Sequence, residues 1–317
     1  MTPEPVTVAV PVLNGGPLFE QVLQAVRSQR ISRPVELLVA DSGSSDGSRV
    51  QAEASGARVL DVPPGSFSHG ATRNLLAREA TGTHVAFLTQ DSVPADERWL
   101  QRLLEGFELA DDVALVFGPY RARPGASPMT RRELEGFFAS FSPDGLPRVD
   151  RVDSPQAGSG PGRRGWFTDA NGCVARAAWK RVPFREVPYA EDHVLARDML
   201  SAGYSKAYHP DAVVIHSHEY SSLALFKRCF DEWRALREVH GHVASAGPVR
   251  AGLTVQREVR DDLQLMRQEG VSGRALVPGA AASLRHHAIR TVGAAAGSRA
   301  ERLPAWLRRR CSLEGRA

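Results

Sequence analysis

Short apolar runs alternate along the first third of the chain with longer stretches whose apolar residues recur at helical spacing. The runs Val6–Leu13, Val35–Ala40, Arg58–Val62, Val85–Leu88 and Val113–Phe117 predict β-strands, and the segments between them predict helices. Strands alternating with helices form parallel sheets with helical crossovers, so the pattern predicts a doubly wound α/β fold with a mostly parallel sheet. Ligands of such sheets gather outside the carboxyl ends of the strands. The residues there are polar: Asn14-Gly15-Gly16 after the first run, Asp41-Ser42-Gly43-Ser44-Ser45-Asp46-Gly47 after the second, Thr89-Gln90-Asp91-Ser92 after the fourth.

From about residue 119 to 165 the pattern dissolves into Pro, Gly, Ser and Arg around one helical piece, Thr130–Ser142. This predicts a mobile excursion, of low complexity at Asp153–Gly165. Order returns at Trp166-Phe167-Thr168-Asp169-Ala170-Asn171-Gly172, followed by a helix near Arg176, a helix over Ala190–Ala202 and a strand over Ala212–His216. Beyond that the chain reads as helical. Leu223, Phe226, Phe230, Trp233 and Leu236 form one stripe, Val255, Val259, Leu263 and Met266 a weaker one, and both predict core packing.

With 317 residues, 42% hydrophobic and 24% charged, the chain suits one large α/β domain plus an extension. Val6–Leu13 is short and has no basic residues before it, so it reads as a buried first strand and not as a signal peptide. No apolar run approaches the roughly 20 residues of a bilayer span, which argues against an integral membrane protein. Cys173, Cys229 and Cys311 are widely spaced and lack a C-x-x-C pair, against a disulfide framework or structural zinc site and in favour of a reducing cytoplasm.

The net charge of +4 is unevenly placed, with thirteen arginines between Arg250 and Arg316. Such a tail suits an anionic partner, although an ordinary solvated helical face carries the same pattern. Leu303, Trp306 and Leu307 beside Arg308-Arg309-Arg310 suit peripheral contact with an anionic membrane surface; a helical lid or dimer interface would use the same residues. No basic motif interleaved with aromatics is present, so nucleic acid is not an expected partner.

Several polar residues suit particular chemistry. A carboxylate such as Asp41, on a Gly/Ser-rich loop after a strand, can accept hydrogen bonds from a base or ribose while backbone amides face a diphosphate. Read alone, Asp41 is equally a turn residue and Asp46 a helix cap. Glu191-Asp192 opens a helical pattern, where the dipole favours ionised carboxylates, and either a capping or a catalytic role satisfies that position. His216 and His218 form a His-x-His pair at a strand end, open to packing or to a metal. Trp166 can be core or a flat surface for a ligand.

The segments Val8-Ala9-Val10-Pro11-Val12-Leu13-Asn14, Asp41–Gly47, Gly70-Ala71-Thr72-Arg73-Asn74, Gln90-Asp91-Ser92 and Glu191-Asp192 together resemble the family 2 glycosyltransferases of the GT-A fold, over roughly residues 6 to 240. Phe67–Asn74, Thr89–Pro94 and His216-Ser217-His218-Glu219-Tyr220-Ser221 look most like bacterial rhamnosyltransferases of cell-envelope polysaccharide biosynthesis. The resemblance implies a catalytic domain over 1–240, with a nucleotide-sugar half (1–118) and an acceptor half (119–240), and a basic helical extension over 241–317. It implies an inverting transfer, with dTDP-L-rhamnose as donor and a glycan or polyprenyl-diphosphate-linked acceptor at the inner face of the cell membrane.

On this resemblance Pro11, Asn14, Asp41, Gly70, Arg73, Asn74, Gln90 and Asp91 bind the donor, and Asp192 is the general base with Glu191 in support. Trp166, Asp169 and Asn171 would form the acceptor platform. The family's Asp-x-Asp motif is reduced here to Asp91, so Mg²⁺ or Mn²⁺ would depend on Asp91 and His216, with His218 in reserve. The eroded motif keeps a second reading open, a non-catalytic nucleotide-sugar-binding or scaffold protein of the same fold. A nucleotidyltransferase would be expected to carry a cationic Gly-rich loop after the first strand, and Asn14-Gly15-Gly16-Pro17 has no cation.

Overall fold

The computed structural model describes residues 4–63, 65–152, 165–245, 247–313 and 315. Its first half runs β1 (Val6–Val12), α1 (Gly16–Arg27), β2 (Val35–Asp41), α2 (Ser48–Ala54), β3 (Arg58–Asp61), α3 (His69–Glu79), β4 (His84–Leu88), β5 (Val93–Pro94), α4 (Trp99–Glu105) and β6 (Val113–Phe117). Next come β7 (Tyr120–Arg121), α5 (Pro128–Ala139), β8 (Arg148–Asp150), β9 (Asn171–Ala175), α6 (Arg176–Arg181), α7 (Glu191–Ser201), β10 (Ser205–Tyr208) and β11 (Val214–Ile215). The chain finishes with α8 (Ser222–His240), α9 (Pro248–Gln268), α10 (Leu276–Gly297) and α11 (Ala305–Cys311).

All five anticipated strands of the first half exist, because each is an apolar run that the sheet buries. The main sheet has the order β3-β2-β1-β4-β9-β6-β10-β8. β1 pairs parallel with β2 and β4, and β9 lies antiparallel between β4 and β6. A strand from the anticipated half 119–240 thus lies within the sheet built by the half 1–118. Trp99 Nε1 donates to Asn171 Oδ1 at 2.7 Å inside this junction. One core layer lies between the sheet and α1 and α4, around Phe19, Leu23, Trp99 and Leu103; the other lies towards α3 and α7, around Leu76, Phe87, Leu195 and Met199.

The anticipated excursion carries regular structure over residues 119–152, whereas residues 153–164 of the low-complexity stretch lie outside the described residues, as does Arg316. α5 is started by Ser127, whose Oγ accepts Thr130 N at 3.2 Å. The strand expected over Ala212–His216 contributes β11 to a second sheet of order β5-β11-β7. This small sheet matters because His216 follows directly from it.

α10 packs along α8 and α9. Gly297 permits that approach, since a Cβ there would collide with the backbone of Phe230. The anticipated stripe on α8 buries Phe230 and Leu236 but leaves Leu223 exposed. The extension is also clasped to α5 by charge. Arg132 meets Glu258 at 2.7 Å and Asp262 at 2.6 Å, and Asp262 also accepts from Ser283 Oγ at 2.6 Å and pairs with His287 at 2.7 Å. Arg290 Nε lies 3.1 Å from Glu133. Part of the arginine excess thus faces inward, which sequence charge alone does not reveal. No described helix is long and apolar enough to cross a membrane.

Candidate functional site

The polar strand ends converge around a cavity of about 310 Å³, lined by Pro11, Leu13, Ser42, Phe67, His69 and Gln90 among others. Parallel pairing of β1 with its neighbours brings these ends to one edge. Gln90 Oε1 accepts Leu13 N at 2.8 Å, and Asn14 Oδ1 accepts Ser45 N at 2.8 Å, so three loops are tied together across the cavity mouth. Asp41 ends β2 as a buried carboxylate and accepts Ser44 N at 3.1 Å. Asp46 accepts both Ser48 N at 3.0 Å and Gly16 N at 2.9 Å, linking the starts of α1 and α2. Among the described residues, the non-glycine residues with positive φ are Asn14 (51°) and Ala190 (59°). Asn14 is itself a predicted site residue and Ala190 adjoins one, Glu191.

Asp91, His216 and His218 come together, with one ligand atom of each within 4.8 Å of the others. His216 Nδ1 and His218 Nε2 each lie 3.5 Å from Asp91 Oδ2. His216 Nδ1 is buried and has no hydrogen-bond partner, an orphaned acceptor that a cation would satisfy. One carboxylate and two imidazoles suit a divalent ion of the Mn²⁺ kind. Exposure rises from 13% for the His216 side chain to 45% for that of His218, leaving an open coordination side for substrate oxygens. Burial would raise the Asp91 pKa, but His216, His218, Thr89 and Arg123 outweigh it and hold the carboxylate below its ordinary range. Burial pushes His216 down to about 4, so its imidazole is neutral and able to ligate near pH 7. Ser92, fully buried and bonded to Thr89 Oγ1 at 2.7 Å, does not face the site.

A second cluster surrounds Arg73. Its guanidinium donates to Asp169 Oδ1 at 2.7 Å and lies 3.1 Å from Glu191 Oε1. All three side chains are buried. Asp192, the second residue of α7, lies next to them and keeps part of its surface accessible. The protein packed around it, and then the charge of Glu191, raise its pKa to about 7. Glu191 stays below its ordinary range, because Arg73 and then His69 outweigh the effect of burial. Of the three carboxyls in the cluster, Glu191 is thus held ionised, Asp192 exchanges its proton near neutrality, and Asp169 is pushed well above its ordinary range by burial although Arg73 opposes this.

Several predicted residues are placed otherwise. Arg73 is neutralised by carboxylates and 2% exposed, which removes it as a cation for a donor diphosphate, although its edge lines the cavity. Asn74 Oδ1 accepts Trp179 Nε1 at 2.9 Å and Phe184 N at 3.0 Å, and its Nδ2 donates to Phe184 O at 2.8 Å, so its amide is committed to packing α3 against the residue 179–184 segment. Gly70 serves a close approach, since a Cβ would collide with the Arg185 carbonyl. Asn171 is fully buried; besides the Trp99 bond it donates to Ala212 O at 2.8 Å and Pro119 O at 3.1 Å. Asp169 is held by Arg73. Neither residue presents a platform to an acceptor. Trp166 stacks within an aromatic cluster, its ring centroid 5.2 Å from Phe117, 5.1 Å from Phe137 and 5.3 Å from Phe141.

The sequence reading missed Arg123, whose guanidinium binds the Asp91 carbonyl and lies 3.3 Å from its carboxylate while also binding the Ser217 carbonyl. It joins the two loops that carry the metal-ligating candidates. Nothing local marks it, because it sits in the Pro/Gly-rich stretch. Thr89, which donates to Asp91 at 2.9 Å, was within the polar strand end and legible there.

The family profile described as Glycosyl transferase family 2 matches residues 7–164. The chain is 31% identical over 236 residues to the O-antigen chain rhamnosyltransferase RfbN of Salmonella typhimurium, covering 71% of this chain and 70% of that one. Two solved structures share the fold at 20% identity. The mannosyltransferase PcManGT of Pyrobaculum calidifontis, in complex with GDP-Man and Mn²⁺, has a TM-score of 0.51 and covers 96% of this chain and 77% of its own. Glucosyl-3-phosphoglycerate synthase of Mycobacterium tuberculosis, with Mn²⁺, UDP and glucosyl-3-phosphoglycerate, has a TM-score of 0.52 and covers 76% and 82%. A GT-A type sheet with polar strand ends around one cavity, and a relative above 30% identity across most of the chain, lead to one assignment: the chain belongs to glycosyl transferase family 2 and is a glycosyltransferase.

Proposed function

We propose that this enzyme transfers L-rhamnose from dTDP-L-rhamnose, with inversion, to a hydroxyl of a glycan or polyprenyl-diphosphate-linked acceptor. The observation that carries the reading is the pairing of Asp192, raised to about 7, with the Asp91–His216–His218 cluster in one molecule. A general base works best when its pKa lies near the operating pH. Ionised Asp192 accepts the acceptor's hydroxyl proton; the acceptor oxygen bonds the anomeric carbon as the bond to the donor diphosphate breaks on the opposite face. Glu191 remains ionised beside it and keeps the Asp192 carboxyl basic. Asp91, His216 and His218 would hold Mg²⁺ or Mn²⁺, whose charge offsets that of the leaving diphosphate. Asp41, Asn14 and Pro11 line the side on which the nucleoside is expected. The donor sugar rests on the similarity to the O-antigen rhamnosyltransferase.

The setting that fits is the inner face of the cell membrane, with the C-terminal residues in peripheral contact. Trp306 is 61% exposed, and Arg309 and Arg310 are exposed beside it. Incubating the full chain with a panel of nucleotide sugars and Mn²⁺, and reading the product anomer by NMR, tests the proposal. Transfer from dTDP-L-rhamnose with inverted configuration is expected. Transfer from another donor alone would replace the sugar assignment, retention would remove the base mechanism, and nucleotide-sugar binding without turnover would favour the scaffold reading.

A further inference from the structure

Three guanidiniums stand near the reaction centre: Arg123 is tied to Asp91 and the Ser217 carbonyl, and the surroundings of the other two are opposite. Arg73 is enclosed by Asp169 and Glu191. Arg228, on α8, has no carboxylate within the 4.0 Å of an ion pair among the described residues. Its Nη1 donates to Tyr189 Oη, and its Cζ lies 5.4 Å from the centroid of the same ring. Tyr189 stands three residues before Asp192. The charge of Arg228 also acts on Tyr120, His193, His218 and Tyr220, so it lies within electrostatic reach of one metal-ligating candidate and of α7.

The fold fixes this side chain. Ser221 caps α8, with its Oγ accepting Ala224 N at 3.3 Å, and the following residues Cys229 and Phe230 are 1% and 0% exposed. The backbone of Arg228 cannot turn away, and the tyrosine ring supports one face of the guanidinium. A guanidinium presents a fork of N–H donors and cannot be deprotonated in a protein. Here Tyr189 Oη accepts one of these donors, and the residue is only part-buried, which leaves N–H groups for a further acceptor. Glu232, one turn along α8, acts on this cation without pairing with it at ion-pair distance, so a partly desolvated guanidinium keeps donors that an arriving anion would satisfy.

We propose that Arg228 is an anion-binding residue that takes a phosphate oxygen of a substrate diphosphate, with Tyr189 positioning its guanidinium. The inference rests on the glycosyltransferase reading above, in which two substrates can carry that chemistry: the nucleotide donor and a diphosphate-linked acceptor. Bidentate guanidinium–phosphate pairing is stronger and more directional than the point charge of a lysine. The assignment gives the site the cation that Arg73 cannot provide.

The experiment uses the full chain and measures, by calorimetry with Mn²⁺ present, binding of inorganic pyrophosphate and dTDP to wild type, Arg228→Gln, Arg228→Lys and Tyr189→Phe. Initial rates with the same acceptor sugar carried on a diphosphate or on an uncharged aglycone complete it. If the donor diphosphate is the ligand, Arg228→Gln weakens dTDP and pyrophosphate about tenfold or more, Arg228→Lys restores part of the loss, and Tyr189→Phe gives a smaller one. If the acceptor diphosphate is the ligand, nucleotide affinity holds and KM rises about tenfold for the diphosphate acceptor alone. Unchanged binding and unchanged KM for both acceptors in Arg228→Gln and Arg228→Lys overturn the assignment while leaving the enzyme's function standing. A wild-type chain that binds no diphosphate overturns the function and the assignment together.

Discussion

Asp192 and Asp91 are both carboxylates packed against the strand ends, yet their surroundings drive them apart. Asp192 sits beside Glu191, and burial together with that like charge raises it to about 7. Asp91 faces His216, His218, Thr89 and Arg123, and these outweigh burial and keep it ionised. The difference teaches that one carboxylate exchanges a proton near neutrality while the other stays ionised. Pairs of titratable groups pushed in opposite directions mark acid–base assignments.

The largest expected effect comes from breaking the first member. Asp192→Asn lowers kcat by about 10²- to 10⁴-fold, with dTDP affinity unchanged in calorimetry. Wild-type kcat/KM rises with pH through about 7 as Asp192 ionises, and the residual rate of the variant lacks that limb. Stability moves the other way. The folded pKa lies above the ordinary 3.8, so the fold favours the protonated form; this contribution is complete below about pH 4 and is lost as pH rises through about 7. The amide variant therefore melts higher than wild type at pH 8, and a lower melting temperature would contradict the sign of the shift.

Removing the cation that organises the same cluster tests stability more than binding. Arg73→Met leaves Asp169 and Glu191 buried without their partner and costs about 3–5 kcal/mol in urea unfolding. Nucleotide affinity of the folded fraction stays near wild type. A variant with normal stability and lost nucleotide binding would return Arg73 to the donor site.

On the other side of the comparison, Asp91→Ala or His216→Ala reduces Mn²⁺-dependent dTDP affinity by at least the roughly 10- to 100-fold seen when metal-site partners are lost. EDTA removes wild-type activity, and Mn²⁺ restores it. Full activity in EDTA would assign neutralisation of the diphosphate to arginines, with Arg123 and Arg228 nearest to hand.

The smallest effect lies farthest from both clusters. Trp306→Ser with Arg309→Glu and Arg310→Glu weakens flotation with anionic vesicles at low salt, at about 1 kcal/mol for each lost basic contact. Point substitutions suit this test better than truncation. Asp231, 1% exposed, accepts Ser312 Oγ at 3.0 Å and Leu313 N at 2.7 Å, so cutting the tail would strip two hydrogen bonds from a buried carboxylate of α8. Equal flotation of variant and wild type would remove the membrane contact.

The sequence by itself determined the strands of the first half, the edge at which ligands gather and the grouping of Asp91 with the two histidines. Each of these depends on local signals: apolar runs that a sheet must bury, polar residues at their ends, and a motif order shared with a family. The same local view made Asn74, Asp169 and Asn171 look like ligand-facing polar groups. Tertiary packing decided otherwise, because a buried amide or carboxylate must be satisfied, and Trp179, Arg73 and Trp99 reach them from elements far away in the chain. The insertion of β9 between β4 and β6, and the return of α8 to bring Arg228 beside His218 and Tyr189, likewise carry no local signature. Hydrophobic period is a property of neighbours in sequence, whereas charge neutralisation and pKa depend on neighbours in space, and only the folded chain supplies those.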